Sequence, residues 1–163
     1  MRKLIIVFIV FITFTACNNN VVFDVYKPID SAKWNKDSIL TFTYNPTDTI
    51  SKNNIYINIR NNKEYQYSNL FLIVGINFPN NYQVVDTLEY EMADAQGKFL
   101  GTGFTDIKEN KLEYKTNVTF PTEGNYEITV QQAMRKSGDV DGIKLLKGVT
   151  DVGLQIEKIA TND

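Results

Sequence analysis

The chain has 163 residues, with 17 Lys and Arg against 19 Asp and Glu, no His and a single Cys. That length fits one domain with a substantial core, and the slightly acidic balance excludes a nucleic-acid partner held through phosphate contacts. Without His there is no Ser-His-Asp or Cys-His nucleophile and no imidazole zinc site, so the expectation is a non-enzyme without cofactor or metal.

Residues 1–16 read as a lipoprotein signal peptide. Arg2 and Lys3 give a positive start, and Leu4–Thr15 is an uncharged apolar run of 12 residues, LIIVFIVFITFT. Such a run suits the core of a secretory signal and falls short of the roughly 20 residues a spanning helix needs. The following Phe14-Thr15-Ala16-Cys17 resembles a lipobox with Phe where Leu is usual. Cleavage between Ala16 and Cys17 leaves Cys17 as the mature N-terminus, carrying a thioether-linked diacylglycerol. One acyl chain anchors only marginally, whereas two or three on one residue hold a domain at a membrane durably. Acylation also accounts for a thiol that has no disulfide partner. The partner so implied is a membrane. The expected location is the cell envelope, with an outer-membrane anchor facing the periplasm favoured over the inner membrane, since Asn18 stands where Asp would signal inner-membrane retention.

Residues 17–37 form a lipidated N-terminal segment that sequence alone leaves open between tether and strand, with Val21-Val22-Phe23 as a first edge strand. Fully extended, Asn18–Asp37 would reach about 70 Å. From Ser38 the pattern turns to a period of two. Leu40, Phe42 and Tyr44 share one face, Ile55, Ile57 and Ile59 another, and Leu88, Tyr90 and Met92 a third. Between these, Leu70–Ile76 is apolar on both faces, as expected of a central, covered strand. Asp94-Ala95-Gln96-Gly97 reads as a hairpin turn into a strand at Lys98–Gly101. Leu112, Tyr114, Thr116, Val118 and Phe120 make another stripe, followed by Tyr126, Ile128 and Val130 and finally Val152, Leu154 and Ile156. A helical turn is expected near Gln131–Lys136. The sum is about eight or nine strands punctuated by turns, an all-β antiparallel sandwich of jelly-roll or immunoglobulin-like type over residues 38–163.

Few residues suggest chemistry. Asp139-Val140-Asp141-Gly142 resembles the opening of a calcium loop, but the twelfth position is Thr150 where the pattern requires Glu. Glu89 and Glu91 fall on one face of a strand about 7 Å apart, which is ordinary for the wet side of a sheet. Contact surfaces are better represented. The loop Arg60–Tyr67 sets Arg60, Tyr65 and Tyr67 among amides, and Phe104–Asn110 offers Phe104, Asp106 and Lys108. Tyr and Arg are favoured interface anchors. The competing expectation is that the aromatics turn inward and cap the sandwich.

The stretches INIRNNKEYQYSNLFLIV (57–74), DTLEYEMADAQGKFLGTGFTDIKENKLEYK (86–115), FPTEGNYE (120–127), QQAMR (131–135) and GVTDVGLQIEK (148–158) resemble the gliding-motility lipoprotein family GldH. The resemblance implies an envelope lipoprotein required for surface gliding, allied to a motility apparatus with its own protein-secretion system. It implies acylation at Cys17 and no catalytic residue. The leading expectation is therefore a non-enzymatic subunit or scaffold with protein partners in that apparatus. The alternative is a glycan-binding lipoprotein of a polysaccharide uptake system, in which Trp34 and the loop tyrosines would form a stacking platform.

Overall fold

The computed structural model describes residues 20–103 and 105–160. Cys17, Ala16 and Phe104 lie outside the described residues. Ten strands are present among them: β1 (Val21–Pro28), β2 (Lys33–Asn35), β3 (Leu40–Tyr44), β4 (Asn53–Asn61), β5 (Asn69–Asn77), β6 (Gln83–Glu91), β7 (Lys108–Val118), β8 (Tyr126–Gln132), β9 (Leu145–Lys147) and β10 (Val149–Lys158). One four-stranded sheet has the order β1-β10-β4-β7 and another β3-β8-β5-β6, with β2 and β9 paired as a small third sheet. Every named pairing is antiparallel.

The alternation in the sequence is what drives the two large sheets together. Ile55, Ile57 and Ile59 of β4 and Val152, Leu154 and Ile156 of β10 are buried in one layer. Leu70, Leu72, Val74 and Ile76 of β5, with Ile128 and Val130 of β8, are buried in the other. Burying a side chain of this size contributes about 1.5–3 kcal/mol. At one end the core is closed by rings. Phe23, Tyr44, Phe120, Tyr126 and Phe78 follow one another edge to face, with centroids 5.0–5.4 Å apart. Each such pair adds about 0.5–1.5 kcal/mol beyond its burial.

Three local readings change. The strand count is ten because β2 and β9 pair over three residues each, too short for a period to register. The expected helical turn at Gln131–Lys136 is instead the end of β8 and the start of a hairpin. Gln132 is buried, its Oε1 accepts from the Met134 N–H at 2.9 Å, and its Nε2 donates to the Ile143 carbonyl at 2.7 Å. Those bonds satisfy the backbone in an extended path. Lys98–Gly101 is no strand either, only a single bridge from Ala93 to Phe99 beyond the Asp94–Gly97 turn. As for the segment left open in the sequence, Val21–Pro28 pairs along β10 and Lys33–Asn35 pairs with β9.

Candidate contact surfaces

The strand directions sort the loops into two sets. Val21 lies opposite Glu157, Asn53 opposite Lys158 and Val118, and Asn77 opposite both Gln83 and Glu127. The start of β1 therefore shares an end, here called proximal, with the β3–β4, β5–β6 and β7–β8 loops. The opposite, distal end carries the β4–β5, β6–β7 and β8–β9 loops. Arg60, Tyr65, Tyr67, Asp106 and Lys108 all belong to that distal half.

The two loops singled out in the sequence meet there. Asn61 of β4 pairs with Lys108 of β7, which brings the loop after one strand beside the loop before the other. Lys63 and Asp106, 80% and 77% exposed, form an ion pair at 3.5 Å. The Lys108 ammonium donates to the Gly103 carbonyl. Arg60 stands on the outer face of the first sheet, its Nε donating to Glu109 Oε2 at 2.6 Å and its guanidinium 4.0 Å from the Tyr26 ring centre. The Tyr26 hydroxyl donates to Glu109 Oε1 at 3.2 Å. Burial, with Glu109 beside it, pushes the Tyr26 hydroxyl up to about 12. Gly153 makes the space, since a Cβ there would lie 2.8 Å from the Tyr26 ring. Arg60 is thus oriented by both neighbours.

The two tyrosines part company. Tyr65 is 3% exposed, and its hydroxyl donates to the Asn69 carbonyl at 2.6 Å. It is a core residue, and burial raises its pKa. Tyr67 remains half-buried, edge-on to Tyr65 at 5.8 Å and 73°. Trp34 is 1% exposed, its Nε1 donating to the Ser38 carbonyl at 3.1 Å. Trp34 and the loop tyrosines therefore form no flat exposed platform, and the sugar-stacking alternative is not favoured. The apolar character that made Trp34 attractive is spent in the core.

Sequence patterning missed a concavity. On the outer face of the second sheet a groove of about 990 Å³ runs past Phe71 and Ile73 of β5, bounded by Tyr67, Ala133, Arg135 and Lys136. Its wall is the β8–β9 hairpin, clipped at its base by the Gln132 bonds and by a 2.7 Å bond from the Ile143 N–H to the Met134 carbonyl. Met134 Sδ accepts from the Phe71 N–H at 3.2 Å, fastening the wall to the floor. The signal was present in Leu70–Ile76. A strand apolar on both faces needs two covers, and the fold supplies one. Asp139 and Asp141 sit exposed near the tip of this hairpin, and among the described residues no three His, Cys, Asp or Glu side chains converge as a metal site. Glu89 and Glu91 are exposed on β6, with Glu89 accepting from Asn69 Nδ2 at 2.7 Å.

Comparison with known proteins agrees over nearly the whole sandwich. The model of the GldH lipoprotein family matches residues 21–156. A protein named "Gliding motility lipoprotein GldH homolog" from Christiangramia forsetii is 49% identical over 161 residues, covering 97% of this chain and 98% of its own. "Gliding motility lipoprotein GldH" of Flavobacterium johnsoniae is 48% identical over 143 residues, 88% of each chain. Among solved structures, the VP2 subviral particle of infectious bursal disease virus aligns at a TM-score of 0.36 and 16% identity, over 84% of this chain and 30% of that one. A likeness that loose carries no argument. With the family model spanning β1 to β10 and two relatives near one-half identity, the chain belongs to the GldH lipoprotein family.

Proposed function

We propose that this protein is a membrane-anchored lipoprotein required for gliding motility, acting as a non-enzymatic subunit whose distal end contacts other components of the motility or secretion apparatus. The names of its relatives support the first part. The observation that carries the second is a polarity. The described contact residues and the apolar groove gather at the end opposite the one where β1 begins, four residues after Cys17. Cys17, acylated after cleavage at Ala16, holds the proximal end to the envelope membrane, with the periplasmic leaflet of the outer membrane as its site. Tyr67, Arg135 and Lys136 ring an apolar floor, the composition of a protein-binding patch with an anchor residue and a polar rim.

The test is photo-cross-linking in living cells from probes placed at Tyr67 and Lys63, with a probe at the proximal residue Glu123 as comparison. Motility or secretion proteins joined through the distal probes support the reading. Glycan transporters, or no adducts from either distal probe, overturn it.

A further inference from the structure

The proximal end carries a feature the distal contacts do not need. Ile50, at 86% exposure, and Tyr82, at 61%, both stand in its loops. Neither is a ragged tip. Asp48 Oδ1 accepts from the N–H groups of Ile50 and Ser51 at 3.0 and 2.9 Å, while Asp48 Oδ2 binds Lys158 at 2.6 Å. That network holds the Asp48 carboxyl well below the usual carboxylate range and presents Ile50 outward. Tyr82 is placed by a 2.8 Å bond from the Phe78 N–H to its carbonyl and leans on the Phe78 ring at 5.5 Å. Phe78 in turn belongs to the chain of rings closing this end. Two fixed, solvent-facing apolar groups on a rigid base call for a partner.

The covalent geometry says which partner. β1 starts at Val21, four residues from Cys17, so an acylated Cys17 lies at most about 14 Å from the sandwich. The end bearing Ile50 and Tyr82 is the end that this short link draws down. We infer that this end rests on the bilayer surface, with Ile50 and Tyr82 entering the headgroup region as a second, non-covalent contact beside the lipid. Tyrosine suits that depth because its ring is apolar and its hydroxyl stays wet. Lys52 and Lys158 border the contact as cations, the latter paired with Asp48, and Glu123 is the exposed carboxylate of the neighbouring loop. The two-signal anchor fixes the orientation of the domain as well as its location. It rests on the reading of Cys17 as acylated.

The acylated full-length lipoprotein is purified with a single added cysteine at Ile50→Cys, Tyr82→Cys or Val140→Cys, labelled with an environment-sensitive fluorophore and reconstituted into phosphatidylethanolamine–phosphatidylglycerol vesicles. Val140, 88% exposed on the distal hairpin, is the control. Emission at positions 50 and 82 is expected to rise about twofold on reconstitution and to be quenched by nitroxide-bearing lipid, as at the shallow depth of interfacial segments, with position 140 unchanged. Protein that floats with vesicles while 50 and 82 behave like 140 overturns the inference and leaves the anchor standing. A rise without lipid quenching means that protein covers the patch, and it also overturns the inference. Failure to float overturns both.

Discussion

Asp86 on β6 accepts a 2.8 Å hydrogen bond from the hydroxyl of Tyr114 on β7, and the Lys115 ammonium lies 2.8 Å from the same carboxylate oxygen. β6 and β7 are the outermost strands of different sheets, so this cluster ties the two layers along one open side of the sandwich. Lys115, and then Tyr114, hold the Asp86 carboxyl below its ordinary range. A lowered carboxylate pKa stabilises the fold at neutral pH, and that contribution is lost as pH falls below the ordinary Asp value toward the folded one. Asp86→Asn is expected to cost about 1 kcal/mol at pH 7 and to leave a flatter decline in acid, read from urea unfolding at pH 7 and pH 3.

At the alkaline side the tyrosines set the limit. Burial pushes the hydroxyls of Tyr26 and Tyr90 each up to about 12 from 10. The unfolded chain therefore releases these protons first, and stability present below pH 10 drains away between about 10 and 12. Urea midpoints measured across that window should fall. Tyr90→Phe, which removes a donor to the Glu113 carbonyl, should make the fall shallower. A midpoint that stays level in wild type would contradict the burial assigned to these rings.

Gly148 tests the seat of Tyr65. Its φ is +90°, and a Cβ there would lie 2.1 Å from the Tyr65 backbone nitrogen. Gly138 has a similar φ of +86° with nothing within 4 Å. Gly138→Ala should cost only the left-handed penalty of about 1–2 kcal/mol. Gly148→Ala should cost more than about 3 kcal/mol, because backbone must move as well. Thermal unfolding of the pair separates strain from collision.

The groove gives the functional test. Ile73→Glu places a charge on a half-exposed floor residue, so the change in stability should stay within about 1 kcal/mol. Gliding on agar and the yield of cross-links from Tyr67 should both drop sharply while the amount of lipoprotein in the envelope is unchanged. Retained gliding would remove the groove from the contact surface.

Much of this was legible in the residues. Alternation located the long strands, because a half-buried strand must alternate, but Leu70–Ile76 read as covered on both faces, whereas its outer residues Phe71 and Ile73 are the floor of an open groove. What alternation cannot report is orientation on loops. Tyr65 and Tyr67 are two residues apart in one polar stretch, yet one is core and the other groove. The Asn69 carbonyl four residues on and the bare Cα of Gly148, distant in sequence, make that choice. Trp34 was misjudged for the same reason, since β2 exists only by virtue of its three-residue match to β9.

β1 also has a mechanical meaning. It enters from the proximal end and lies antiparallel to β10 through seven paired positions from Val21 to Pro28. Were the proposed tether at one end of the sandwich and the proposed contact at the other both loaded, tension would run along this strand, perpendicular to its hydrogen bonds. The pairs would then bear the load together in shear, where a sideways pull would unzip them singly. A domain strung this way transmits force through its edge without first giving up its fold.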